Sequence, residues 1–198
     1  MTIRKKLLSS CILLSLGLVI STFLSFFMVS ENLAFLHKAH TEGITISQAT
    51  TDIRFSVVQV QQWLTDISVT RAASGLDDGY TEAEKHAVLI RKNIGILKDK
   101  EPTKEKEFDV FLKKFELYYI HGKKMANSYI KYGTDAGNKS MRTFDQYADS
   151  LAEEAKLINS WSEDKFNQEL EQSERLFLRT KIFQAVINLL ELQAFEWS

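Results

Sequence analysis

The chain has 198 residues, including one proline and eight glycines, and carries 25 Lys and Arg against 26 Asp and Glu. So few helix breakers favour long helices over sheets, which predicts an all-α protein. The single cysteine, Cys11, has no partner for a disulfide, a redox pair, a haem attachment or a cysteine zinc site. The near-neutral balance gives no basic surface for nucleic acid, which is therefore excluded as a partner.

A charge-free apolar stretch, residues 7–29, follows three basic residues near the N-terminus. A helix of this length, at ~1.5 Å per residue, spans a hydrocarbon core of ~30 Å. A cleaved signal peptide is the alternative, but its apolar region is only ~7–15 residues long and ends at small residues. Residues 1–30 are therefore predicted to be a cytoplasmic basic tag and a single transmembrane helix in the inner (cytoplasmic) membrane. Residues 31–198 would lie outside the cytoplasm.

Beyond the anchor, apolar residues recur three and four apart in four successive series, as in helices that bury one face. The first series is Ile46, Ala49, Ile53, Ser56, Val60, Trp63, Ile67 and Thr70, with Val57 and Leu64 widening the stripe beside it, and the second is Ala83, Ala87, Ile90, Ile94 and Leu97. The third is Phe108, Phe111, Phe115, Tyr118, Gly122, Met125, Tyr129 and Tyr132, and the fourth is Met141, Phe144, Ala148, Leu151, Ala155 and Ile158. Together they predict an antiparallel four-helix bundle, packed most densely at Trp63.

The stretch between the first two series predicts a corner between helices. Gly75 suits a left-handed residue that closes the first helix, and Asp77 and Asp78 are turn formers. Thr81 with Glu84 three residues later predicts a capping box that starts the second helix. Two adjacent aspartates do not supply the regularly spaced oxygen ligands of a calcium loop, so the corner is predicted to be structural.

Two later breaks complete the predicted bundle. Pro102 suits the first turn of the third helix, because its missing N–H is not needed there. Residues 133–137, bounded by glycines, predict the next break, with Asn138 at or near the start of the fourth helix.

Two segments resemble the sensory domain of bacterial methyl-accepting chemotaxis proteins, namely VVQVQQWLTDISVTRAASGLDDGYTEAEKHA and HGKKMANSYIKYGTDAGNKSMRTFDQYADSLAEE. With the predicted anchor, the resemblance covers residues 1–177. It implies that residues 31–178 form an extracytoplasmic sensory domain in a homodimer. Such a domain meets a small-molecule ligand, directly or through a periplasmic binding protein, and passes a small helix displacement through the membrane.

The chain departs from that family near its C-terminal end, where the family has a second transmembrane helix and then a cytoplasmic signalling region. Residues 179–198 are apolar but contain a polar stripe at three-four-three spacing, formed by Lys181, Gln184, Asn188 and Glu191. An acidic residue at the centre of a membrane helix costs ~2.5–3.5 kcal/mol. The segment is therefore predicted to be an amphipathic helix on the bundle or on the membrane surface. The chain is expected to be a receptor truncated before its second span.

Three residues are candidates for ligand binding. Arg71 can bind a carboxylate bidentately and lies near the distal end of the first helix, although it could equally pair with Asp77 or Asp78. Trp63 falls on the apolar stripe, which favours a core residue over a ligand platform. Asp66 completes the candidate set.

The metal candidates are His37 and His40, three residues apart on the first helix, with His86 and His121 on other helices. No Glu-x-x-His pair accompanies them, so solvated or hydrogen-bonded histidines are favoured and no cofactor is expected. No nucleophile, base and orienting residue can be assembled, so an enzyme is not expected. Two other classes stay open at this point: a membrane-anchored haem- or metal-binding bundle, and a structural membrane-anchored oligomer.

Overall fold

The computed structural model describes residues 3–196. Residues 1 and 2 of the predicted basic tag and residues 197 and 198 of the predicted C-terminal segment lie outside the described residues. The helices are α1 (Ile3–Thr70), α2 (Gly79–Lys100), α3 (Glu105–Tyr132) and α4 (Thr134–Glu196), with a short 3-10 turn (Pro102–Lys104) before α3. No strand occurs among residues 3–196, and the predicted all-α fold is confirmed.

The chain divides into two compact units. One unit, called the core unit below, is Glu42–Lys165. The other, called the terminal unit, combines Met1–Thr41 with Phe166–Ser198. Helices α1 and α4 contribute to both units. The predicted division into residues 1–30, 31–178 and 179–198 stays a prediction.

All four helices contribute apolar side chains to the centre of the core unit. The second predicted series is buried in full, and in the fourth Phe144, Ala148, Leu151 and Ala155 are buried. The third series is buried as far as Tyr129, but Tyr132 is 75 % exposed, so its assignment to the stripe was wrong. The reason is that α3 ends at this residue, and positions three and four apart drift around a helix of 3.6 residues per turn.

In the first series, the packing of Trp63 differs from the prediction. Trp63 was expected to be the most densely packed position, but it is only partly buried, whereas its neighbour Leu64 is 0 % exposed. Val60 and Ile67 of the predicted series are fully buried, as expected, and Val57 beside them is buried too, so Trp63 lies at the edge of the inward face. Trp63 still packs against the edge of the core.

Contacts within the core unit show that the helices they join run in opposite directions. Thr50 on α1 lies beside Asn159 on α4, with 3.4 Å between Oγ1 and Oδ1. Further along α1, the Arg71 guanidinium donates to Thr134 at the start of α4. Contacts between α2 and α3 are ordered in the same reversed way, as expected for neighbouring helices joined by short connections.

The corner after α1 differs in part from the prediction. Gly75 is left-handed, as expected, with φ of 80°. The helix has ended before it, however, because Arg71 and Ala72 have φ of 52° and 53° directly after Thr70. A left-handed conformation costs a non-glycine residue about 1–2 kcal/mol, so this corner contains strained backbone.

Helix α2 starts at Gly79, two residues before Thr81, and Asp78 makes no side-chain cap. The predicted capping box of Thr81 and Glu84 is therefore wrong, since both residues lie inside the helix. Close approach sets the start instead: a Cβ at Gly79 would come within 2.8 Å of the Trp63 carbonyl oxygen. Only glycine lets α2 begin this close to α1.

Proline and glycine mark the two later breaks between helices. Pro102 was expected in the first turn of α3, but it opens the separate 3-10 turn that leads into that helix. Gly133, with φ of 80°, separates α3 from α4. Helix α4 then starts at once, so the expected start at Asn138 was too late. Gly137 lies inside α4, where a Cβ would approach the Tyr129 ring to 2.3 Å.

In the terminal unit, α1 carries the apolar segment that was predicted to cross the membrane. Among the described residues, α1 is the one helix long and apolar enough to do so, with an 18-residue window of mean hydropathy 1.6. Only 6 % of that window is buried. The C-terminal residues 179–196 are helical as part of α4. Of the predicted polar stripe there, the side chain of Glu191 lies outside the described part.

Candidate ligand-binding site

Two of the three predicted ligand-binding residues, Trp63 and Asp66, line the same open groove on α1. The groove is formed by Val58, Gln61, Gln62, Trp63, Thr65, Asp66 and Val69. Trp63 has two roles, because it packs against the core and also lines the groove. Trp63 can therefore be a core residue and a ligand platform at the same time.

The lining of this groove favours a particular ligand chemistry. Asp66 is the ionisable residue among those that form it, and the amides of Gln61 and Gln62 can both donate and accept. The Gln62 side chain already accepts from the Gln59 amide at 3.2 Å. A groove lined by both a carboxylate and an indole suits a small ligand that carries an amine or another cation.

Arg71 does not line the groove. Its side chain is exposed, and its Nη2 donates to the Thr134 hydroxyl at 2.8 Å rather than to Asp77 or Asp78. Its left-handed backbone is notable, since strained residues cluster at functional sites. The structure thus separates the predicted set into a groove with Trp63 and Asp66 and an exposed guanidinium at the corner.

The histidines are spread over both units. His37 and His40 are exposed in the terminal unit. In the core unit, His86 Nδ1 lies 3.5 Å from the Ser56 hydroxyl, and burial lowers the pKa of His86. His121 stacks on the Tyr147 ring with 4.3 Å between centroids.

No metal site accompanies these histidines in the described residues. Within that part of the chain, no group of three or more His, Cys, Asp or Glu side chains is arranged to hold a metal ion. The haem- or metal-binding alternative stays a hypothesis.

Sequence reasoning missed an ionic network between α2 and α3. Arg91 binds Glu116 through two parallel hydrogen bonds of 2.7 and 3.0 Å, and it also reaches Glu84 at 3.0 Å. The guanidinium lies over the rings of Phe115 and Tyr119, 5.5 and 5.7 Å from their centroids. Glu84 and Arg91 are seven residues apart, which places them on one helix face, but their partners on α3 are visible only in the fold.

The proton positions in this network follow from its contacts. The Tyr119 hydroxyl donates to Glu84 at 2.6 Å, and this bond, followed by the one from Arg91, lowers the pKa of Glu84. Burial raises the pKa of Tyr119, and the neighbouring Glu84 raises it further. Every acceptor in the network faces a donor, so its role is to hold α2 against α3.

Comparison of the chain with protein-family models, with curated proteins and with solved structures found no match. The structure itself shows an all-helical chain. It also shows one candidate membrane-spanning helix, near the N-terminus of the described residues. A helix-rich membrane protein is the class that these observations support.

Proposed function

We propose that the chain is the extracytoplasmic ligand-sensing portion of a chemoreceptor-like transmembrane signal transducer. In this proposal the N-terminal segment of α1 anchors it in the inner membrane, and the core unit lies in the periplasm as part of a homodimer. The sequence resemblance of two segments, the apolar N-terminal segment and the helical core support the proposal.

The observation that carries the proposal is a second regular series on the outward face of α1. Its members are Ile44, Gln48, Thr51, Phe55, Val58, Gln62, Thr65 and Val69, which alternate in spacing between four and three residues. Phe55, Val58 and Val69 are 57, 53 and 82 % exposed. This spacing is that of a coiled-coil seam, which packs against a second helix with the same repeat.

A second copy of the chain is the partner that carries the same repeat. A two-fold dimer pairs a surface with itself, so one seam on α1 serves both subunits. Val58, Gln62, Thr65 and Val69 belong both to the seam and to the groove beside Trp63. Dimerisation would thus place a second subunit over the groove, and a ligand bound there would alter how the two α1 helices meet.

Disulfide cross-linking tests the dimer. In full-length chain carrying Cys11→Ser, Val58→Cys should form a covalent dimer when membranes are oxidised, because a seam residue faces its own copy. Leu157→Cys is the matched control, since Leu157 is 64 % exposed but lies on α4. Equal cross-linking of the two variants would contradict a seam on α1.

Thermal melts in lipid nanodiscs test the groove. A ligand that binds the folded state raises the melting temperature, and the full-length chain would be screened against amines, amino acids and organic acids. The increase should be lost in Asp66→Asn and reduced in Trp63→Phe, whereas the exposed control Asp149→Asn should keep it. A ligand effect that survives Asp66→Asn but disappears in Arg71→Ala would move the site to the corner.

A further inference from the structure

In the terminal unit, α4 meets α1 through polar side chains. The Ser25 hydroxyl contacts the Gln184 Oε1, and the Gln184 Nε2 lies 3.4 Å from the Ser21 hydroxyl. Further along, the Asn32 amide donates to the Thr180 hydroxyl at 2.7 Å. Ser21 and Thr180 are only 5 and 8 % exposed. The buried side chains of these two helical segments, Ser21 and Thr180, are therefore polar and hydrogen-bonded to the facing helix, whereas Met28, Leu176 and Ile187 are only partly buried.

Most outward side chains of the same segments are apolar, although Arg179, Lys181 and Asn188 on α4 are exposed as well. On α4, Phe177, Leu178, Ile182, Val186, Leu189 and Leu190 are between 48 and 59 % exposed. On α1, Leu16, Val19, Phe23 and Phe26 are between 56 and 73 % exposed. Two helices paired in water would bury such side chains and expose the serines and the glutamine.

This reversed arrangement is the one that a lipid bilayer stabilises. Lipid tails are as apolar as leucine, so helices associate there through small residues and through hydrogen bonds between Ser, Thr, Asn and Gln. Ser21 lies inside the predicted span 7–29, eight residues from its outer end, which corresponds to about 12 Å of helix. Gln184, which contacts Ser21, must lie at a similar depth.

We propose that residues 182–190 of α4 are inserted in the hydrocarbon layer beside α1, at least to the depth of Ser21, whereas Thr180 lies beside Asn32 just outside the predicted span 7–29. Their outward apolar side chains contact lipid acyl chains, and Gln184 is satisfied by the two serines of α1. A helix on the membrane surface would need its polar side chains to face water, but those of Thr180 and Gln184 face α1. The proposal replaces the surface-lying helix expected from the sequence.

Lys181 fits this placement. Its ammonium group lies 4.6 Å from the centroid of the Phe177 ring, one turn back towards the core unit along the chain. A lysine near the outer boundary of the hydrocarbon layer can extend its charge to the water in this way. The charge therefore does not have to enter the layer with residues 182–190.

Cysteine accessibility in the full-length chain tests the depth. In lipid vesicles and a Cys11→Ser background, Val186→Cys and Leu189→Cys should react with a charged maleimide at least about tenfold more slowly than exposed Asp149→Cys, because a charged reagent is excluded from hydrocarbon. Phe23→Cys is the matched control inside the predicted span. Labelling of Val186→Cys and Leu189→Cys at the rate of Asp149→Cys would overturn the proposal, and so would rapid labelling of Phe23→Cys.

A disulfide cross-linking experiment tests whether this segment of α4 lies beside α1 of the same chain. The pair Ser25→Cys and Gln184→Cys should form a disulfide within one chain, seen as a cross-linked peptide from the monomer band. Leu24→Cys with Gln184→Cys is the control pair, since Leu24 is 41 % exposed. A covalent dimer in place of the internal disulfide would assign the polar side of α4 to a second copy and overturn the proposal. Neither arm depends on a sensory role, so the two proposals can fail separately.

Discussion

The core unit and the terminal unit bury opposite kinds of side chain. The core unit encloses Phe115, Tyr118 and Ile53, each 0 % exposed, and carries charged networks such as that of Arg91 on its outside. The terminal unit encloses Ser21 and presents leucines and phenylalanines outward. The same two helices, α1 and α4, follow both rules in different parts of their length.

The difference teaches that the side chains of each helix suit the medium around it and not only the helix that it packs against. In water, burial of apolar surface contributes about 25 cal/mol per Å², which favours an apolar interior. In a bilayer that contribution is missing, and an unsatisfied polar group costs several kcal/mol, so polar groups pair inside. One chain with both patterns is what a protein that lies partly in a membrane requires.

The strongest test of this comparison exchanges a phenylalanine in each unit for alanine. Phe115→Ala should lower the free energy of unfolding by about 3–5 kcal/mol, because it leaves a cavity between fully buried side chains. Phe23 is 71 % exposed in the terminal unit, so Phe23→Ala should leave that free energy nearly unchanged. Urea unfolding of the detergent-solubilised chain, followed by tryptophan fluorescence, measures both. A similar loss in the two variants would mean that the units do not differ in what they bury.

A finer test lies within α1, where neighbouring residues face different surroundings. Leu64→Ala should cost about 2–5 kcal/mol, because the side chain is fully buried. Trp63→Ala should cost less, about 1–2 kcal/mol, because one side of the ring is open to the groove. Urea titrations read out by circular dichroism avoid the loss of the tryptophan signal. A larger cost for Trp63→Ala than for Leu64→Ala would mean that Trp63 is the more densely packed residue, as the sequence predicted.

This pair shows how far the sequence alone reaches. The three-and-four spacing identified the helices and most buried positions, because burial on a helix repeats with its turn. It could not decide between Trp63 and Leu64, since the inward face drifts along a long helix and its final position depends on the neighbouring helices. The start of α2 was missed for a similar reason: the close approach at Gly79 is a tertiary contact, which overrides the local capping signal of Thr81 and Glu84.

The candidate site was predictable only in part. Trp63 and Asp66 are three residues apart on one helix, so their shared groove follows from helix geometry. Arg71 was a candidate because a guanidinium binds carboxylates and because it lies near the distal end of α1, but at the left-handed corner its side chain contacts Thr134. Gln184 was recognised as part of a polar stripe, yet only the fold shows that its side chain faces α1, as does that of Thr180, which was not assigned to the stripe.

Two glycines in the core unit should respond in opposite directions to alanine. A Cβ at Gly122 would lie 2.5 Å from the Leu64 Cδ1 and 2.8 Å from the Phe144 Cε2. Gly122→Ala should therefore destabilise the fold by about 1–3 kcal/mol through overpacking. A Cβ at Gly95 meets nothing within 4 Å, so Gly95→Ala should stabilise by about 0.5–1 kcal/mol, because alanine has the higher helix propensity. Thermal melts compare the two, and a gain for Gly122→Ala would show that α1 and α3 are packed less closely than described.

The smallest expected effect is a change in how the melting temperature depends on pH. It should arise from the charged exterior of the core unit and not from the contacts between neutral side chains in the terminal unit. Hydrogen bonds from Tyr119 and Arg91 lower the pKa of Glu84 in the folded state below its usual 4.5. A lowered carboxyl pKa stabilises the fold above the unfolded value, and this contribution is lost as the pH falls through the folded value. Glu84→Gln should therefore reduce the drop in melting temperature between about pH 5 and pH 3 by a small amount, since half-exposed ion pairs are screened.

The exposed control Asp149→Asn, matched in charge change, should leave that drop as it is in the parent chain. The disulfide between Ser25→Cys and Gln184→Cys, once formed, should persist at both pH values, because the side chains that surround it in the terminal unit are hydroxyls and amides that do not titrate there. High salt should shrink the effect of Glu84→Gln, since it screens partly exposed charges. If Glu84→Gln and Asp149→Asn change the acid response equally, the effect comes from net charge and not from the contacts of Glu84 with Tyr119 and Arg91.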